Sequence, residues 1–163
     1  MSRFKNFVPH GVIPAILLPF QDDLSIDEQS FRSHLRDVAA VEGLSALTIN
    51  AHSTEVASCT PEEQTRVLEI AVEEVGSKLP VIHGVWADGS LEAARIAKRA
   101  QAGGSSALLV FPPAPFTLGQ NADMAVAHFK TDRIGERSAV DRVPVSARDR
   151  PGLSGRDPGT AIR

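Results

Sequence analysis

The feature that most limits how this chain can fold is a recurrence. Four short, almost wholly apolar runs, at residues 12–18, 46–49, 81–85 and 107–111, alternate with amphipathic stretches. Successive side chains of a strand point to opposite faces, so a run apolar at every position predicts a strand covered on both sides, as in a parallel sheet built from βα units. The stretches between the runs carry helix signals. In Thr60-Pro61-Glu62-Glu63 the threonine can cap free N–H groups, the proline stands where a missing N–H costs nothing, and Glu63 can reach back to close a capping box. Val67, Leu68, Ala71 and Val75 then form an apolar stripe at helical spacing. Asp27 opens a helix that turns Phe31, Leu35, Val38 and Ala39 to one side, Ser90 opens another that ends near Gly103, and a fourth is expected over residues 122–130.

This order admits a doubly wound sheet or part of an eightfold barrel, and periodicity does not choose between them. The stretch after the third run, His83-Gly84-Val85-Trp86-Ala87-Asp88-Gly89-Ser90, lacks the glycine spacing that wraps a pyrophosphate, which argues against a nucleotide site. Charge argues against nucleic acid: 17 Lys and Arg stand against 20 Asp and Glu in 163 residues. The single cysteine, Cys59, reads as structural, and His10, His34 and His128 are too scattered for a metal set. No apolar run approaches the roughly 18 residues of a membrane span. A soluble, cytoplasmic chain with no membrane partner is expected. His83 reads as a core histidine and Trp86 as a packing residue.

Residues 131–163 differ from the rest. Val-Pro, Arg-Pro and Asp-Pro steps, repeated glycines and the lack of any aromatic residue leave no apolar face to offset the entropy of ordering. The expected division is a folded part over residues 1–130 and a disordered tail over residues 131–163.

Functional groups concentrate where the second run stops. Leu47-Thr48-Ile49 gives way at once to Asn50-Ala51-His52-Ser53-Thr54-Glu55. In both parallel-sheet architectures ligands meet the carboxyl ends of the strands, where backbone amides at a turn can hold a carboxylate. His52, Ser53 and Glu55 are therefore the candidate substrate-binding residues; ordinary turn polarity is the competing explanation for the same pattern.

A colinear series of motifs adds a family. Gly11-Val12-Ile13-Pro14-Ala15, Pro19-Phe20, Ile26-Asp27, Thr60-Pro61-Glu62-Glu63, Pro80-Val81-Ile82-His83-Gly84-Val85, Glu92-Ala93-Ala94-Arg95-Ile96-Ala97-Lys98-Arg99-Ala100 and Leu108-Leu109-Val110-Phe111-Pro112-Pro113 resemble the N-terminal half of the dihydrodipicolinate synthase / N-acetylneuraminate lyase family. The resemblance covers roughly residues 11 to 130. It implies about four βα units of a (β/α)8 barrel and class I aldolase chemistry on pyruvate or another 2-keto acid, with no cofactor. In that chemistry a lysine on a later strand attacks the keto group and the iminium serves as electron sink. The family's Gly-Thr-Thr-Gly-Glu turn, which binds the keto acid's carboxylate, falls on Ala51-His52-Ser53-Thr54-Glu55. Ser53 keeps a hydroxyl and Glu55 the acid. His52 replaces a threonine, while Ala51 and Thr54 replace glycines whose backbone freedom shapes the turn, and Thr54 is poorly suited to a positive φ.

Two departures bear on activity. The chain has no tyrosine, and reads Pro112-Pro113-Ala114-Pro115-Phe116 where synthases often read Pro-Tyr-Tyr. Its four lysines, Lys5, Lys78, Lys98 and Lys130, precede the first run, enter the third, sit on a helix and end the last helix. None is expected at the carboxyl end of a strand, so no catalytic residue is assigned and an inactive, truncated lyase is the expectation. A reading-frame shift near Thr131 would account for the change in character there. Codon degeneracy lets residues 143–154, shifted by one nucleotide, read Phe-Gln-Tyr-Pro-Leu-Ala-Thr-Gly-Gln-Gly-Tyr, which resembles the family's fifth strand. An open half barrel exposes two strand edges, so self-association into a homo-oligomer is expected. The alternative is a non-catalytic α/β module that binds a small carboxylate.

Overall fold

The computed structural model describes Phe4, residues 6–119 and residues 121–134. In chain order the regular elements are α1 (Glu28–Ala39), β1 (Leu47–Ile49), α2 (Pro61–Val75), β2 (Val81–Val85), α3 (Ser90–Ala102), β3 (Ala107–Val110) and α4 (Ala122–Ile134). Short 3-10 turns cover His52–Thr54, Val56–Ser58 and Ala114–Leu118. β1, β2 and β3 are parallel and lie in sequence order, with Leu47 opposite Val81 and His83 opposite Leu108.

The first apolar run takes its expected place beside β1 but does not form a regular strand. Its contacts are isolated parallel bridges, Val12 to Leu44 and Ala15 to Thr48. The bridged positions are three residues apart on one side and four on the other, so the register slips by one, and Pro14 has no N–H to donate. The remaining bonds still fix its position: Ile16 N–H donates to the Thr48 carbonyl at 2.9 Å and Thr48 N–H to the Pro14 carbonyl at 2.9 Å. Four strand positions thus follow one another without a reversal of order. A doubly wound sheet requires such a reversal, whereas a barrel does not.

The helix signals act as the sequence predicts. Asp27 accepts the Ser30 N–H at 3.0 Å at the start of α1. The α2 capping box is complete: Glu63 N–H donates to Thr60 Oγ1 at 3.2 Å and Thr60 N–H to Glu63 Oε2 at 2.7 Å. Ser90 is the first residue of α3 rather than its cap, and its hydroxyl meets His128 Nδ1 of α4 at 2.9 Å. α4 runs four residues beyond Lys130, to Ile134. The first backbone breaker after Lys130 is Gly135, so nothing local stops the helix sooner. The rest of the expected tail, residues 135–163, and with it the stretch read in a shifted frame, lies outside the described residues.

The main core lies between the sheet and α1 and α2, where Leu47, Ile49 and Val81 pack with Ile16, Phe31 and Leu35. Arg32 bridges Glu73 and Glu74, and Arg66 bridges Glu28 and Glu69, lacing the two helices at the surface. The opposite face is thinner, with Ala46, Ile82 and Ala107 covered by Phe7 and Ile13. Above them the cover ends: Leu17 is 61 % and Leu109 41 % exposed. The expectation that every apolar run is covered on both faces therefore fails for the first run and for β3. Such runs record burial in a closed barrel, and the described residues supply only part of the wall.

Candidate functional site

The turn after β1 is set by Asn50. Its φ of +50° lies in the left-handed region, which asparagine tolerates better than most residues. The buried amide is fastened there, with Nδ2 donating to the Gln64 carbonyl at 2.8 Å and standing 3.3 Å from His83 Nδ1. His83 thus accepts on Nδ1 and is neutral: burial, with a smaller push from Arg99, lowers its pKa to about 4. The Asn50–Ala51 backbone crosses directly over Gly84. A Cβ at that glycine would lie 2.1 Å from the Asn50 carbonyl oxygen, so β2 needs glycine for the turn to pass.

The polar residues then fold into a tight turn. Thr54 N–H donates to the Ala51 carbonyl at 3.0 Å and Glu55 N–H to the His52 carbonyl at 3.1 Å. Thr54 is fully buried, and its Oγ1 donates to the Ile16 carbonyl at 2.8 Å, tying the turn to the first run. The sequence reading placed backbone difficulty at Thr54. The structure moves it one residue on, to Glu55, whose φ is +54°, while Thr54 keeps right-handed turn geometry and gains a buried bond instead.

Ser53 and Glu55 come together at one cleft of about 460 Å³, between the end of the first run and α1, shared with Leu17, Pro19, Ser30 and His34. His52 does not line it. Its exposed ring lies against Phe111 at the end of β3, with centroids 4.4 Å apart, and so links the loops that follow β1 and β3. The cleft therefore offers a hydroxyl, a carboxylate and an imidazole, the last from His34, whose Nε2 accepts the Leu17 N–H at 3.4 Å.

Sequence reasoning missed His34, Thr54 and the Asn50–His83 pair. His34 lies within α1 and Ser53 beyond β1, and no local pattern signals their approach. An asparagine ending an apolar run was the one readable sign of the left-handed turn. Cys59 is buried, and burial, followed by Glu63 and Glu55, pushes its thiol pKa up, which opposes a nucleophilic role. Among the described residues no group of three or more His, Cys, Asp or Glu side chains could hold a metal ion, and no helix is long and apolar enough to cross a membrane.

This arrangement has relatives. The 4-hydroxy-tetrahydrodipicolinate synthase of Agrobacterium fabrum is 36 % identical over 103 residues, 63 % of this chain and 35 % of that protein. An uncharacterized DapA-like lyase of Halobacterium salinarum is 34 % identical over 123 residues, 74 % of this chain and 39 % of that protein. Among solved structures, a dihydrodipicolinate synthase from Bacillus anthracis superposes with a TM-score of 0.72 at 20 % identity, covering 81 % of this chain and 44 % of its own. The N-acetylneuraminate lyase of Fusobacterium nucleatum gives 0.67 at 24 % identity, with coverages of 77 % and 42 %. At these identities the structural likeness establishes the fold, and this chain spans less than half the length of each of these proteins. The model of the dihydrodipicolinate synthetase family matches residues 8–131, and the chain belongs to that family.

Proposed function

We propose that the turn after β1 is the carboxylate-binding end of a Schiff-base aldolase site for pyruvate or another 2-keto acid, and that this 163-residue chain does not by itself carry out the imine chemistry. Ser53 holds a carboxylate oxygen and Glu55 supplies the neighbouring acid, while His52, placed against Phe111, stands outside that cleft. No cofactor is called for, because the iminium is itself the electron sink.

The observation that carries the reading is the position of the amines. Lys78 precedes β2 at its amino end, Lys98 lies on α3 and Lys130 on α4, and all three are exposed. Lys5 lies outside the described residues and precedes the first run in sequence. An imine-forming lysine needs desolvation and an aim into the pocket, and an exposed helix position offers neither. The alternative, a module that binds a small carboxylate without turning it over, is favoured by Ser53 and Glu55 sharing the cleft. The single buried cysteine suits a cytoplasmic, reducing setting.

Incubation with pyruvate and sodium borohydride followed by intact-mass measurement tests the chemistry. The expected result is an unchanged mass; an adduct on any lysine overturns it. Pyruvate titration followed by NMR tests the binding, which Ser53→Ala is expected to weaken.

A further inference from the structure

We propose that His83 is a positioning residue for the candidate site: from β2 it fixes the Asn50 amide, and through that amide the turn that presents Ser53 and Glu55. This role deepens the keto-acid reading of the turn and rests on it. The residue is out of place in its strand. Every position of Val81-Ile82-His83-Gly84-Val85 is buried, and an apolar side chain at 83 would fill the space against α2 and α3 without the cost of desolvating an imidazole. Among the described residues the ring makes one hydrogen bond, to Asn50 Nδ2 at 3.3 Å.

The chemistry of that bond leaves little choice of arrangement. The Gln64 carbonyl can only accept, so the Asn50 group 2.8 Å from it is the NH2, and the second proton of that NH2 serves His83 Nδ1. His83 must then be neutral and carry its proton on Nε2, a state that burial favours. A ring protonated on Nδ1 would set donor against donor. The amide cannot turn over to suit it, because its oxygen would then face the Gln64 carbonyl. Together the two bonds hold Asn50 at a φ of +50°, a conformation that an L-residue adopts only at a cost. The loop beyond is tied down at buried points, with the site side chains between them. Thr54 is anchored to the Ile16 carbonyl, and Gln64 Nε2 donates to the Cys59 carbonyl at 3.2 Å, closing the far end. Ser53 and Glu55 are exposed, so these anchors set their direction, and Asn50 is the first of them after β1.

The test is NMR on the full chain. Ring nitrogen shifts of the parent are expected to show Nδ1 unprotonated and Nε2 protonated. His83→Leu, which packs but cannot accept a hydrogen bond, is expected to move the Ser53 and Glu55 amide signals, leave those of Phe31 and Leu35 in place, and weaken pyruvate binding about tenfold. His83→Asn carries an oxygen near the place of Nδ1 and is expected to restore the parent signals, with an affinity within about twofold of the parent's. In an Asn50→Gly background, where glycine takes the left-handed turn unaided, His83→Leu should have no further effect. A ring protonated on Nδ1, Ser53 and Glu55 signals indifferent to His83→Leu, a His83→Asn that behaves as His83→Leu does, or a full effect in the Asn50→Gly background overturns the proposal. The ring measurement needs no variant, so it holds even where His83→Leu fails to fold. If the parent binds no pyruvate the keto-acid reading falls, and the turn signals alone judge the role of His83.

Discussion

The two faces of the sheet differ more than any two elements of this molecule. Against α1 and α2, Leu47, Ile49 and Val81 are fully enclosed with Phe31 and Leu35. Against the barrel axis the cover thins from Ala46, Ile82 and Ala107 to the open Leu17 and Leu109. The helix-facing core joins elements that follow one another along the chain, from the first run and α1 through β1 and α2 to β2. The inward core of a barrel joins strands from the whole circumference, and the described residues make up only part of that circumference. Local units can thus be well built in a chain whose central core is not.

That contrast can be broken by mutation and by pH. The largest effect should come from Phe31→Ala, which empties the helix-facing core and is expected to cost about 3–5 kcal/mol, read from the urea midpoint. Next is acidification. Folding holds the His83 pKa at about 4 against an ordinary value of 6.5, so below pH 6.5 the unfolded chain takes up a proton that the folded chain refuses. The contribution is complete above pH 6.5 and is lost as pH falls toward about 4, at up to about 1.4 kcal/mol per pH unit and about 3 kcal/mol in all. His83→Gln should flatten that part of the stability profile; an unchanged slope would mean that the histidine is not buried neutral beside Asn50. Thr54→Val leaves the Ile16 carbonyl without its donor and should cost about 1 kcal/mol, with Thr54→Ser close to the parent. The smallest change should be Leu109→Ser on the open face, within about 0.5 kcal/mol by the same urea measurement. A loss of the size expected for Phe31→Ala would show that the inward face is already packed in solution.

Much of the fold was legible because its signals are local. The Thr60 capping box, the Asp27 cap and the apolar stripe of α2 each concern residues within a few positions of one another, and each formed as read. The first run was less regular than its composition suggested, since Pro14 and a slipped register are matters of pairing with β1. α4 outran its expected end because the boundary had been drawn at the change to a glycine- and proline-rich composition rather than at a residue that stops a helix. At the candidate site, the sequence marked the polar end of β1 but not the separation of its members, with Ser53 and Glu55 in the cleft and His52 turned to Phe111.

By itself the sequence determined the repeated βα units, the start of α2, the polar turn at residues 50–55 and the lack of any tyrosine, because propensity, capping and composition act over short stretches of chain. Only the tertiary structure decided that Asn50 and Glu55 carry the left-handed bends, that Thr54 ties the turn to Ile16, that His34 joins the cleft and that Leu17 and Leu109 face open space. Those outcomes depend on which backbone passes over Gly84 and which strand lies beside another, and contacts between distant residues leave no local pattern from which to read them.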